Sequence, residues 1–190
     1  MNSPDLLLQR QRLTDSLLQL ACDPRAAEDP NRPLLASLLA GQMIGQGCLD
    51  HWLNLGKARW QQMVADHFRG LPPLPARQPP MAIPEWEDLQ KLLLEHRANR
   101  VDSEIWMADI VASACAGADH LWQDLGLASR AELSRLMQLN FPALAAANSG
   151  DMKWKKFLYR QFCAREGIYV CPAPSCGVCI DYAKCFSPEH

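Results

Sequence analysis

Four cysteines lie within fifteen residues near the C-terminus, with the spacing C-x4-C-x2-C-x5-C: Cys171, Cys176, Cys179 and Cys185. Two prolines and a glycine stand between them, and a segment so short cannot bury a hydrophobic core of its own. Thiols are therefore expected to converge here only if they bind something together. A metal centre, held in a loop over residues 170–186, is the most direct interpretation.

Three kinds of thiol chemistry compete for this loop. The first residues after Met1 include no basic region followed by an apolar run, so no signal peptide is expected. A cytoplasmic location follows as an expectation, and disulfides are disfavoured there. Zinc sites usually combine two C-x2-4-C pairs, or a cysteine pair with a histidine pair, whereas this loop has one C-x2-C and no histidine. The spacing favours an iron–sulfur type of cluster and leaves zinc open.

Composition excludes several classes of protein. The 190 residues are 48% hydrophobic and 21% charged, as in ordinary globular proteins. No apolar run approaches the roughly 20 residues of a membrane span. A net charge of −2 argues against general nucleic-acid binding, which usually requires a strongly basic surface. Neither nucleic acid nor membrane is expected as a partner.

Apolar residues recur at helical spacing almost throughout, which predicts an all-α, bundle-like domain ending in the cysteine-rich loop. Six prolines between Pro72 and Pro84 can continue neither a helix nor a sheet. We therefore expect an N-terminal helical region over 1–70, a proline-rich connector over 71–84, and a second helical region over 85–190 that carries the loop.

Local signals predict where individual helices begin and end. Pro33 and the Ser129–Glu132 capping box should each begin a helix, and Phe141-Pro142 should break one. Asp151 is expected to cap the last helix before the loop. Leucines at helical spacing between Leu6 and Leu20 predict a first helix, and further helices are predicted over residues 49–68, 85–96 and 103–116.

Other candidate ligands lie outside the loop. Cys163 is about two helical turns before Cys171 and could point at the same centre. Cys115 and His120 lie five residues apart and could add a metal ligand, although a buried thiol and a helix-capping histidine are the simpler interpretations. Cys22 and Cys48 are assigned to core packing.

The segment before the loop is basic. Residues 151–165 contain five Lys or Arg and one Asp, in a chain that is otherwise slightly acidic. A solvated helix face is the default interpretation. Such cations would also offset the negative charge of a thiolate-bound cluster, or attract an acidic partner.

Sequence blocks in the second half resemble the NifQ family of nitrogen fixation proteins. The resemblance spans roughly residues 90–187, while the N-terminal third matches only in its helical character. The cysteine spacing and the tryptophan-rich blocks carry it. The matching stretches are Trp106-Met107-Ala108-Asp109-Ile110-Val111, His120-Leu121-Trp122-Gln123-Asp124-Leu125-Gly126-Leu127, Glu132-Leu133-Ser134, Asn140-Phe141-Pro142, Asp151-Met152-Lys153-Trp154-Lys155-Lys156-Phe157-Leu158-Tyr159 and Glu166-Gly167-Ile168-Tyr169-Val170-Cys171.

This resemblance implies a carrier of a molybdenum–iron–sulfur cluster, which acts as a metal donor and not as a turnover enzyme. Cys171, Cys176, Cys179 and Cys185 would be the ligands. The implied recipient is the scaffold complex on which the nitrogenase iron–molybdenum cofactor matures, with the nitrogenase iron protein participating. Molybdate or another molybdenum source would supply the metal. Molybdenum could be held by the fourth cysteine or by a weaker ligand, for which Cys115, Cys163 and His120 are the candidates.

Two functions of other classes stay open on the residues alone. A small iron–sulfur electron carrier would use the same cysteines without molybdenum. A zinc-stabilised adaptor would use them only to fold the loop.

Overall fold

Within residues 4–166, which a computed structural model describes together with the side chains of residues 4–161, the chain is all-helical. No β-strand occurs in this part, where Ala21 and Arg69 form an isolated bridge. None of its helices is long and apolar enough to cross a membrane. The ten helices are α1 (Pro4–Leu18), α2 (Pro24–Ala27), α3 (Arg32–Met43), α4 (Gly56–His67), α5 (Trp86–Glu95), α6 (Ser103–Ala114), α7 (Leu121–Asp124), α8 (Arg130–Asn140), α9 (Pro142–Ala147) and α10 (Trp154–Glu166).

Two helices lie at the centre of the core. Helix α3 is buried without interruption from Leu34 to Gln42, and α6 from Met107 to Ala114, so neither has a solvent-facing stripe over those residues. Such all-round burial is typical of a helix enclosed by other helices. Helix α1 packs on α3, α5 packs on α6, and α10 packs on α5. One hydrophobic cluster joins residues from both sides of the connector.

A buried polar network ties the two sides together. The side-chain amides of Asn31 and Asn140 bond reciprocally, at 2.7 and 2.8 Å, although they are 109 residues apart. Asn31 Nδ2 also donates to Ser103 Oγ at 2.9 Å, and Asn140 Nδ2 donates to the carbonyl of Leu136. Both asparagines are fully buried. The network therefore joins the start of α3, the start of α6 and the end of α8.

Several local predictions are confirmed. Helix α3 has proline in its first turn, and Ser129 Oγ accepts the backbone N–H of Glu132 at the start of α8. Phe141 ends α8, and α9 begins at Pro142. The all-α prediction holds for the part of the chain that the structure describes, and the cysteine-rich loop lies outside it.

Two local predictions are wrong. The helix expected over 49–68 begins only at Gly56, because the Asp50 carboxylate accepts the N–H groups of Trp52 and Asn54 and holds a turn. Asp151 does not cap α10; it lies at positive φ and its carboxylate accepts a hydrogen bond from Arg130 at 2.7 Å. At Asp50 a side chain bonds the nearby backbone in a way that competes with the helix, whereas the Asp151 carboxylate is bonded by a residue 21 positions earlier in the chain.

The proline-rich connector has no regular secondary structure over residues 71–83. Its midpoint is anchored by Arg77, whose guanidinium donates to Gln42 Oε1 and to the carbonyls of Gly45, Gln46 and Gly47, at 2.9–3.2 Å. The carbonyl of Arg77 lies 3.3 Å from His51 Nδ1. The connector is thus attached to the turn that follows α3. The division into regions 1–70, 71–84 and 85–190 stays a prediction.

Candidate metal centre

The predicted cluster ligands Cys171, Cys176, Cys179 and Cys185 lie outside the described residues, and so does the side chain of Cys163. What the structure describes is helix α10, which leads towards them, and the surface on which that helix packs. Among the described side chains, no group of three or more His, Cys, Asp or Glu could hold a metal ion.

Helix α10 buries most of the side chains of its first turns. Trp154, Phe157, Leu158 and Tyr159 are each at most 7% exposed, and the rings of Trp154 and Phe157 meet edge to face at 5.7 Å. Lys153 and Lys156 are half-buried and Arg160 is exposed. The expectation that the basic residues form a solvated face is wrong for one of them: Lys155 is 6% exposed.

Lys155 is buried because it has specific partners. Its Nζ donates to Asp124 Oδ2 at 2.5 Å and to the carbonyl of Gly117 at 2.8 Å. The Asp124 carboxylate is 3% exposed and also accepts the N–H of Asp119, at 3.2 Å. A charge this deeply buried requires such pairing. The ion pair therefore connects α10 to the end of α7 and to the segment after α6.

A side chain at position 117 would leave no room for this arrangement. A Cβ built on Gly117 would lie 2.2 Å from the carboxylate of Asp124. Glycine lets the Asp124 carboxylate lie against the backbone, beside the carbonyl that accepts from Lys155. Burial raises the pKa of the Asp124 carboxyl, and the neighbouring Lys155 ammonium acts in the opposite direction.

Two thiols lie beside the ion pair. Cys115, the residue after α6, is fully buried, and burial raises its pKa to about 12. Cys48 is partly buried; its N–H donates to the carbonyl of Asp124 at 2.8 Å, and its Sγ lies 4.0 Å from the carbonyl of Ala114. Burial, reinforced by Asp124, raises the pKa of Cys48 to about 12 as well. Both thiols are therefore neutral at physiological pH.

The structure brings Cys115 together with residues that lie far from it in the sequence. Cys115 is buried, as the simpler interpretation expected, and His120 is exposed immediately before α7, where its backbone N–H donates to Gln123 Oε1 at 3.3 Å. His120 therefore stands at the start of a helix and not at an end where it could cap carbonyls. Cys48 and Lys155 were not recognised as neighbours of Cys115, because only tertiary packing joins them.

Fold and sequence together define a helical protein whose last described helix leads to a cysteine-rich segment. The sequence model of one family, described as NifQ, matches residues 34–187. The chain belongs to the NifQ family, which is implicated in nitrogen fixation. The match begins at α3, well before the blocks that indicated the resemblance, and it covers all four cysteines of the loop.

Curated relatives agree with this assignment. Protein NifQ of Azotobacter vinelandii is 39% identical in an alignment of 174 residues that covers 84% of this chain and 89% of the relative. Protein NifQ of Klebsiella pneumoniae is 51% identical over 81 residues, or 42% of this chain and 48% of the relative. Protein NifQ of Rhodobacter capsulatus is 40% identical over 110 residues, or 58% and 61%. No solved structure matches the chain.

Proposed function

We propose that this protein carries a molybdenum–iron–sulfur cluster as cargo on Cys171, Cys176, Cys179 and Cys185, and donates its molybdenum to the scaffold that assembles the nitrogenase iron–molybdenum cofactor. The observation that carries the proposal is the family match, which runs to residue 187 and so takes in the whole C-x4-C-x2-C-x5-C run. The protein acts as a cytoplasmic donor, and no catalytic residue is assigned to it.

The chemistry of the ligands supports this cargo. Thiolates are soft ligands that suit iron–sulfur clusters and thiophilic metals. Four thiolates around a metal–sulfide core commonly leave net negative charge, which cations nearby stabilise. Basic residues stand on α10, which leads to the cysteines, and immediately before it: Lys156 and Arg160 in the helix, and Lys153 just before it, reach the surface in part or in full.

A donor must also release its metal, so one position on the cluster should be exchangeable. We propose that three cysteines hold iron and that molybdenum is held by the fourth, or by Cys115, Cys163 or His120. Of these, His120 is exposed and reachable, whereas the neutral Cys115 thiol would have to lose its proton inside the core before it could bind metal. The described geometry therefore favours His120 over Cys115 as an additional ligand.

Metal analysis of protein isolated without oxygen tests the cargo. We expect iron, acid-labile sulfide and molybdenum in the wild-type chain, and loss of all three when Cys176 or Cys179 is replaced by serine. Cys22→Ser is the matched control, because Cys22 is a partly buried cysteine elsewhere in the chain. Zinc alone would identify the adaptor, and iron and sulfide without molybdenum would identify the electron carrier.

Transfer of labelled molybdenum tests the donor role. Protein loaded with radioactive molybdenum is mixed with the purified scaffold complex, with and without the nitrogenase iron protein. Free molybdate at the same concentration is the control. Label should move to the scaffold faster from the loaded protein than from molybdate. Equal rates from the two sources would contradict a donor role while leaving cluster binding intact.

The additional ligands are tested by single substitutions. His120→Ala, Cys115→Ala and Cys163→Ala are compared for molybdenum and iron per chain. A variant that loses molybdenum and keeps iron identifies the molybdenum ligand. Unchanged molybdenum in all three variants would assign it to the four cysteines of the loop.

A further inference from the structure

We propose that Lys155 is a positioning residue of the metal centre: its buried ammonium fixes how α10 packs on the body of the protein, and so fixes where the chain enters the cysteine segment. The inference rests on the proposed function, because it assumes that the cluster is held after α10. It concerns a residue that is not itself among the predicted ligands, although it lies beside one candidate, Cys115. It therefore differs from the ligand assignments above.

The position of α10 matters because this helix is the last described element before the cysteines. Its apolar contacts alone do not specify one arrangement. Trp154, Phe157 and Leu158 form one apolar face at i, i+3, i+4 spacing, and Tyr159 widens it, so a small rotation or slide of the helix would still leave apolar side chains against the core. Hydrophobic contacts are non-directional, whereas hydrogen bonds require a defined distance and angle.

Lys155 supplies the directional contact. Its ammonium has two acceptors on two different segments, the carboxylate of Asp124 at the end of α7 and the carbonyl of Gly117 after α6. Satisfying both at 2.5 and 2.8 Å fixes the height and the rotation of α10. A rotation that removed Lys155 from this site would leave a carboxylate buried without its cation.

A simple contribution to stability is a poor explanation of this ion pair. Burying two charges removes both from water, and well-packed apolar residues of similar volume are often as stabilising or more so. The pair also restricts the neighbouring sequence, because a Cβ at position 117 would clash with the carboxylate of Asp124. Selection of one packing arrangement is the best-attested role of such buried polar groups.

The test compares two variants, Lys155→Met and Arg59→Met, each of which removes the cation from a buried carboxylate; the Lys155 side chain is itself buried and that of Arg59 is half-exposed. Lys155→Met leaves the carboxylate of Asp124, with 4% side-chain exposure, without its cation. Arg59→Met does this to the carboxylate of Asp109, with 3% side-chain exposure, at the contact between α4 and α6. Both should lower the melting temperature. Only Lys155→Met should change the metal centre.

The readouts are the electron paramagnetic resonance spectrum of the cluster and the rate at which a dithiol chelator removes molybdenum. We expect Lys155→Met to alter the spectrum and to speed removal about tenfold, the lower end of the range for residues that orient metal ligands. Arg59→Met should match the wild type in both. Equal effects of the two variants would show that loss of stability alone is responsible, and would overturn the proposal.

A second variant covers the case in which Lys155→Met does not fold. The double variant Lys155→Met with Asp124→Leu removes both charges and leaves neither buried alone, so its helical content should be that of the wild type. Its cluster should nevertheless show the altered spectrum and the faster loss of molybdenum. A double variant with a wild-type cluster would overturn the proposal.

Amide hydrogen exchange of the metal-free chain separates this inference from the proposed function. In the double variant, the amides of α10 should exchange about tenfold faster, while those of α3 should not change. Unchanged α10 exchange would overturn the positioning role whether or not the protein carries a cluster. A wild-type chain that binds neither iron nor molybdenum, with the α10 effect present, would overturn the proposed function and the link to a metal centre, and would leave only the role of Lys155 in the packing of α10.

Discussion

The buried amide network offers a direct test of whether the two sides of the connector fold together. In Asn140→Leu, the amide of Asn31 loses the acceptor at 2.7 Å and the donor at 2.8 Å, while its bond to Ser103 is kept. Each buried polar atom left without a partner costs about 1–3 kcal/mol. Asn31→Leu strands the amide of Asn140 in the same way and also removes the bond to Ser103.

These losses give an expected destabilisation of about 2–4 kcal/mol for each single variant, because one oxygen and one N–H of the remaining amide lose their partners and the surroundings relax in part. The double variant Asn31→Leu with Asn140→Leu strands neither amide and replaces both by apolar side chains of similar size. Its destabilisation should be smaller than the sum of the two single effects by at least about 1–2 kcal/mol. The two residues should thus be coupled across 109 positions of sequence.

Urea unfolding followed by circular dichroism at helical wavelengths measures these free energies on the metal-free chain. At about 2–4 °C per kcal/mol for a chain of this size, the single variants should also melt roughly 4–16 °C below the wild type. Each variant should unfold in one transition. Additive effects, or two transitions with only one of them shifted, would refute the claim that the network joins one cooperative unit.

Three further predictions follow from single sites. Gly41→Ala should destabilise the protein by about 1–3 kcal/mol in urea, because its Cβ would lie 2.1 Å from the carbonyl oxygen of Gly126; Gly150→Ala, which meets no atom within 4 Å, is the control and should have little effect. Burial lowers the pKa of His67 in the folded chain. The stability that neutral His67 contributes is therefore complete above its unfolded pKa of about 6.5, and it is lost as the pH falls through the folded pKa. His67→Gln should therefore flatten the fall in stability between about pH 7 and pH 5, and a parallel fall in both proteins would contradict the assignment. Cys48 and Cys115 have pKa values of about 12, so they should react with a maleimide at about pH 8 roughly a thousandfold more slowly than a free thiol. Mass spectrometry of the labelled peptides measures the two rates. Rapid labelling of either cysteine would show that its site opens.

Local chemistry decided which parts of the fold could be predicted. The starts of α3, α8 and α9 depend on a proline or a capping serine within a few residues, and sequence shows such signals directly. The turn at Asp50 was missed because its side chain bonds two N–H groups that a helix would otherwise use. Apolar residues keep their helical spacing through this turn, so the pattern does not indicate that the helix begins only at Gly56.

The neighbourhood of Cys115 could not be predicted for a different reason. In the sequence, Lys155 is one of several cations in a basic segment. Its partner Asp124 lies 31 residues earlier in the chain. Cys48 comes still earlier, 66 residues before the carbonyl of Ala114 that it approaches. Spacing along the sequence carries no information about such contacts. Gly117 is the one local feature related to this packing, because the Asp124 carboxylate occupies the space that a side chain at position 117 would take.

The attachment of Arg77 changes what kind of loop the proline-rich connector is. Because Arg77 is held near the middle of the connector, folding closes two short loops, one on each side of this residue. An unattached connector would form a single long loop. Closure entropy grows only slowly with length, so each short loop should tolerate insertions of its own without disturbing the other. Length variation among related proteins should accordingly fall on either side of the arginine, with the arginine and the turn after α3 changing together.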